Sequence, residues 1–207
     1  MKKKFEISYL GMLHYFLELE AKQVQDAIFV SQRKYAVDLL KRFNMLNCKI
    51  AVTPMNLNEK LQVDDGTVQV NASHFRSYVG GLIYLMHTRP YIIFSIGVIS
   101  RFIHSPSKHH LDATKSVLCY VTVIIDFGLW YGRVSDFRLI GFIDNDWAGC
   151  LEDRRSTLGY IFNLGSGAIS WRSKKQSTIA LSSSEAMFRN LAKENTCRSL
   201  LRTNWSK

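Results

Sequence analysis

The sequence predicts an α+β protein, with helices gathered mid-chain and strands on either side. Three observations carry this. Aromatic and branched residues flank a polar connection between residues 15 and 31, apolar residues recur at helical spacing between residues 73 and 125, and alternation sets in after Gly128. Hydrophobic residues fill 47% of the 207 positions, enough for a real core.

Residues 15–20 and 27–31 read as the strands of a β-hairpin joined through Lys22, Gln23, Gln25 and Asp26. A helix follows, with Ser31 as its N-cap, Tyr35, Leu39, Leu40 and Phe43 on one face, and Lys41 and Arg42 near its negative end. Residues 53–66 lack periodicity and read as a loop. Ser73 is the expected cap of a helix carrying Val79, Leu82, Ile83 and Met86. Pro90 suits the first turn of a second helix running to about Phe102, and Ser107 caps a third carrying Leu111, Val117, Leu118 and Val121. Their shared apolar faces predict a small bundle. Residues 139–144, 160–164 and 168–171 read as three strands joined by short turns, including Gly165-Ser166-Gly167. A last helix is expected from near Ser184 toward Leu201.

Charge narrows the partners. The 27 Lys and Arg against 17 Asp and Glu give +10, the footprint of a protein that touches polyanions, although a basic domain without such a partner has the same balance. Cys48, Cys119, Cys150 and Cys197 lie far apart, which argues against a zinc site and a disulfide framework and for a reducing compartment. Lys2, Lys3 and Lys4 have no apolar run behind them, so secretion is not expected. The apolar stretches 91–98 and 117–125 fall short of the ~20 residues of a membrane span. The expected setting is intracellular, in cytoplasm or nucleus, with no membrane partner.

Four blocks carry a family resemblance: Gly-Phe-Ile-Asp-Asn-Asp-Trp-Ala-Gly (141–149), Asp-Arg-Arg-Ser-Thr-Leu-Gly-Tyr (153–160), Ser-Trp-Arg-Ser-Lys-Lys-Gln-Ser (170–177) and Ser-Ser-Ser-Glu-Ala (182–186). In this order and spacing they resemble the start of the ribonuclease H domain in the Pol polyprotein of copia-type LTR retrotransposons. Tyr15-Phe16-Leu17, residues 28–36, Thr53-Pro54-Met55, residues 81–85, Thr88-Arg89-Pro90 and Gly128-Leu129-Trp130-Tyr131 resemble the family's preceding landmarks. The resemblance implies three parts: a reverse-transcriptase primer-grip hairpin and thumb remnant in residues 1–66, a helical connection in 67–132, and a truncated ribonuclease H-like domain in 133–207 with three antiparallel strands and one helix.

The primer grip holds the growing DNA end. Independently of the family, Tyr15 and Phe16 beside Arg33 and Lys34 offer stacking and phosphate contacts to a nucleic-acid strand, although such aromatic residues serve equally as core.

Ribonuclease H cleavage uses two divalent ions, by family expectation Mg²⁺, held by converging carboxylates. The first carboxylate position falls on Asp144, which otherwise reads as a strand-end turn residue beside Asn145. The family's Glu-x-Glu falls on Glu185, Ala186 and Met187. Positions two apart on a helix diverge by about 200°, so only one of the family glutamates faces the site. If it is the second, Met187 has removed a ligand; if the first, Glu185 still serves. The remaining ligands lie downstream in the family and the polymerase Asp pair upstream; Asp64-Asp65, in a loop after the hairpin, is not that pair. The family also has Gly where Glu18 stands, Asp where Tyr91 stands, and Lys-Gly-Thr where Val121-Thr122-Val123 stands. His109 and His110 read as structural or solvated.

Three functions compete: an inactive Pol fragment that still binds an RNA/DNA hybrid or other nucleic acid, an Mg²⁺-dependent hybrid nuclease completed by a partner, and a reused basic binding module. A strand at 139–143 lacking its inner neighbour would also favour self-association through an unpaired edge.

Overall fold

The polypeptide reverses at Leu17 and Glu18, both left-handed with φ of 47° and 59°, and again at Gln25 and Asp26. The expected single hairpin is therefore three strands, β1 (Tyr15–Phe16), β2 (Leu19–Val24) and β3 (Ala27–Ser31). Two consecutive positive φ values make the primed turn that follows strand twist. The computed structural model describes residues 14–56, 60–146, 149, 153–179, 182 and 185.

Ser31 does not cap the next helix. It is still committed to the sheet, paired with Glu20 on one side and Gly128 on the other. Gln32 occupies the cap of α1 (Arg33–Arg42) without a side-chain capping bond, because its amide is buried and used elsewhere. It donates to the Tyr84 carbonyl at 3.3 Å and accepts from the Thr88 hydroxyl at 3.0 Å.

Asn71, not Ser73, caps α2 (Ala72–Leu85): its side chain accepts from the His74 N–H at 3.0 Å. Pro90–Ile92 form a 3-10 turn leading into α3 (Ile93–Ile99), which ends in a second such turn at Ser100–Phe102. Ser107 caps α4 (Lys108–Val123) as expected, and His110 closes a capping box by accepting from the Ser107 N–H at 2.9 Å. His110 is buried, stacks on Phe102 with centroids 3.8 Å apart, and so has a structural role.

The four helices share one core, built from residues such as Leu39, Leu40, Phe75, Leu82, Ile96 and Leu118. Gly81 lets α1 approach α2 closely, since a Cβ there would overlap Leu39 Cδ1. Ile83 on the same helix is 36% exposed, the one expected core residue of α2 left at the surface. The Thr88-Arg89-Pro90 landmark has a physical basis. Arg89 is fully buried and donates to the Ile124 and Ile125 carbonyls at the end of α4 and to the Thr88 hydroxyl.

After α4 comes β4 (Gly128–Gly132), a strand where the sequence pattern offered only a family landmark. It pairs antiparallel with β3, giving a sheet of order β1-β2-β3-β4. The second sheet contains β5 (Leu139–Asp146), β6 (Thr157–Leu164) and β7 (Gly167–Lys175), antiparallel in the order β5-β6-β7. This matches the three expected strands, each longer than the alternation indicated. The sheet rests on the helices through Trp171, whose indole N–H donates to the Met86 carbonyl at 3.0 Å, and Arg101, which donates to Thr157 Oγ1 at 2.8 Å. The helix expected from near Ser184 lies outside the described residues apart from Glu185.

Two cysteines distant in sequence are neighbours: burial, then a hydrogen bond with Cys48, pushes the Cys119 thiol up to about 12. Among the described residues, no helix is long and apolar enough to cross a membrane.

Candidate nucleic-acid interface and carboxylate cleft

Strand register decides which side chains of the first sheet share a face. Tyr15 pairs with Glu20 and Glu20 with Ser31; Lys22, Phe29 and Trp130 align across β2, β3 and β4. Side chains alternate along a strand, so Tyr15 and Phe16 point to opposite faces. Tyr15, Arg33 and Lys34 line one hollow of about 460 Å³ together with Lys22 and Phe29; Phe16 is not among its lining residues. Three of the four expected contact residues are thus brought together. Lys34 Nζ sits 5.2 Å above the centre of the Tyr15 ring, a cation–π geometry.

One carboxylate, Glu20, lines the hollow, and others bond to its lining residues. Arg33 Nε is 2.6 Å from Asp126, with both side chains largely exposed. Glu20 accepts from the Lys34 backbone N–H at 2.7 Å. The Tyr15 hydroxyl donates to Glu18, and that bond, followed by partial desolvation, pushes its pKa up to about 12. Tyr15 is a neutral ring at physiological pH, suited to stacking.

The second site lies on the other sheet. Phe142, Asp144 and Asp146 alternate along β5 and therefore share a face. They line a cleft of about 460 Å³ whose opposite wall is Pro90, Tyr91 and Phe94. Gly159 pairs with Asp144 on the neighbouring strand, so no side chain rises beside that carboxylate. Asp144 is exposed and Oδ1 accepts from the Asn145 N–H at 2.8 Å. Asp146 is a second carboxylate that sequence reasoning missed, although its i+2 spacing on a strand was the signal.

Glu185 does not line this cleft; its backbone N–H donates to Ser182 Oγ at 3.1 Å. Among the described residues, no group of three or more His, Cys, Asp and Glu converges to hold a metal ion. Of the Asp64-Asp65 pair, Asp65 serves the fold instead. Asp65 accepts from Ser107 Oγ at 2.5 Å and from the Thr67 N–H and hydroxyl at 2.9 and 2.6 Å, anchoring the loop to the start of α4. The Ser107 and Thr67 bonds hold the Asp65 carboxyl well below the usual range.

The chain is similar to the retrovirus-related Pol polyprotein of transposon RE1 from Arabidopsis thaliana, 40% identical over 192 residues, which cover 93% of this chain and 13% of that protein. It is similar to the uncharacterized mitochondrial protein AtMg00810 of Arabidopsis thaliana, 39% identical over 193 residues, covering 93% of this chain and 80% of that protein. The Pol polyprotein of transposon TNT 1-94 from Nicotiana tabacum is 36% identical over 197 residues, covering 91% of this chain and 15% of the polyprotein. The chain thus spans 13–15% of the length of these polyproteins. No family model and no solved structure matches it.

Proposed function

Because this chain belongs to the family of retrovirus-related Pol polyproteins from copia-type transposons, we propose that it acts as a nucleic-acid-holding segment of such a polyprotein, without turnover of its own. In this reading residues 15–132 contain the primer-grip hairpin, thumb and helical connection of a reverse transcriptase, and β5 to β7 open a ribonuclease H-like domain. The observation that carries it is the convergence of Tyr15, Arg33 and Lys34 on one hollow beside a β-hairpin. Rings that stack and cations that meet phosphate are what a strand-holding surface needs. The Arg33–Asp126 pair does not block this use, since an exposed ion pair holds together by only about 0–1 kcal/mol and opens readily for a phosphate.

The reading without turnover draws on the carboxylates. Asp144 and Asp146 supply oxygen donors from one strand, fewer than a pair of bridged Mg²⁺ ions takes, and Met187 stands where the family carries its second Glu. A labelled RNA/DNA hybrid is expected to bind in an anisotropy titration, and Arg33→Ala with Lys34→Ala is expected to weaken that binding and flatten its salt dependence. Unchanged affinity in the double variant would remove the hairpin from the interface.

A second reading, Mg²⁺-dependent hybrid cleavage completed by a partner, is favoured by Asp144 and Asp146 lining one open cleft. Hybrid incubated with Mg²⁺ or Mn²⁺ decides between them: cleavage that Asp144→Asn abolishes would replace the first reading with the second. The outer edge of β5 has no strand partner among the described residues, and we assign self-association to that edge.

A further inference from the structure

The hollow beside Tyr15 does not end at the hairpin. A second hollow, of about 480 Å³, adjoins it, shares Lys22 and Phe29 with it, and extends to Trp130 and Phe127. We propose that this continuous face, from Tyr15 across Phe29 to Trp130, is a stacking platform for the unpaired bases of a single-stranded polynucleotide. The proposal rests on the nucleic-acid reading above and specifies the ligand as single-stranded.

The geometry comes from β4, which the hairpin alone does not contain. Pairing of β4 with β3 puts Trp130 directly across from Phe29, with ring centroids 4.6 Å apart and planes tilted by 34°. Gly128 supplies the room, because a Cβ there would meet the Phe29 ring at 2.8 Å. The opposite face of β4 turns inward, with the Tyr131 hydroxyl donating to the Ala168 carbonyl at 2.6 Å. Trp130 is 53% exposed and Tyr15 44%, an arrangement that leaves large apolar rings in water. Covering rings with bases is favourable and tolerant of sequence, since every base has a π face.

Charge favours a polynucleotide over an apolar peptide. Lys22 stands in register with Phe29 and Trp130, and Lys34 lies over Tyr15, so cations accompany the rings along the whole strip. Glu20 and Asp126 share the face and offset part of this charge. The platform is therefore driven by stacking more than by phosphate contacts. A duplex hides its base faces inside its own stack and gains little from it.

The test titrates the full chain against a labelled oligodeoxythymidylate of ~12 nucleotides, a length within the usual span of such surfaces. Trp130→Ala is expected to weaken binding about tenfold or more, Trp130→Phe to restore most of it, and RNA/DNA hybrid affinity to change less than about threefold. The slope of log affinity against log salt stays unchanged in Trp130→Ala and falls by about 0.7 in Lys22→Ala. Matching circular dichroism and thermal melts show that the variants fold. Wild-type affinity of Trp130→Ala for the oligonucleotide overturns the platform. If Arg33→Ala with Lys34→Ala still weakens hybrid binding, the hairpin reading survives that loss. If instead Trp130→Ala dissolves a self-associated species in sedimentation while leaving oligonucleotide binding intact, the face joins copies of the chain and the proposal fails.

Discussion

Replacing Arg89 by Ala should cost more stability than any other single truncation of a charged side chain in the described structure. The guanidinium is fully buried and bonds the Ile124 carbonyl at 3.3 Å, the Ile125 carbonyl at 2.9 Å and Thr88 Oγ1 at 3.0 Å. Those carbonyls terminate α4, where the helix leaves acceptors without intrahelical partners and the dipole favours a cation. Burial pulls the Arg89 pKa down from its usual value, yet a guanidinium stays charged in proteins. Truncation removes three hydrogen bonds from a charged donor, leaving the half-buried Ile125 carbonyl without that donor while the Ile124 carbonyl keeps the Phe127 N–H, at about 2 kcal/mol together at the low end, and loses roughly 2 kcal/mol of packing from the aliphatic stem. The sum is about 4 kcal/mol, a large part of the 5–15 kcal/mol that typical domains possess. Urea unfolding followed by circular dichroism reads it: with a slope of about 2 kcal/mol per molar, the midpoint drops by about 2 M. Arg89→Lys, which reaches fewer acceptors, drops it by roughly half as much. A shift below about 0.5 M for the alanine variant would refute the reasoning, because it would mean that water satisfies those carbonyls equally well.

Further expectations concern the first turn and the Asp65 anchor. Leu17→Asn with Glu18→Gly, which suits a turn with two positive φ values, should stabilise by about 1 kcal/mol and raise the melting temperature by about 2–4 °C. No rise would show that the Tyr15 to Glu18 hydrogen bond outweighs backbone strain. Asp65 has a depressed folded-state pKa, so its contribution is fully present above the unfolded carboxylate value near 3.9 and is lost as pH falls through the lower folded value. Asp65→Asn should therefore destabilise at pH 7, with the gap to the parent closing toward pH 2. Urea midpoints at the two pH values check this, and an equal gap at both would remove the anchor from the acid response.

Much of the architecture was legible because periodicity survives translation into structure. The strand pattern in residues 139–171 and the Ser107 cap both rest on local chemistry, and both appear in the fold. Ser31 and Ser73 misled for one shared reason. A serine before an apolar run has capping chemistry, but whether its backbone is free to cap depends on long-range pairing or on where the helix register begins. Ser31 was held by two sheet neighbours, and Asn71 opened α2 two residues earlier. The hairpin residues show the same division. Tyr15, Arg33 and Lys34 could be nominated from type and spacing, but Phe16 differs from Tyr15 only in the face that a strand of period two assigns it.

By itself, the sequence determined the family, the α+β class, the basic character and the position of Asp144 on a strand, because these depend on residue identity and local period. Tertiary structure decided which of those residues meet. It set Pro90, Tyr91 and Phe94 across the cleft from Asp144 and Asp146, buried Arg89 under the end of α4, and carried Trp130 across a hundred residues to lie against Phe29. Such juxtapositions arise from strand register and helix packing between distant segments, and no local pattern encodes them.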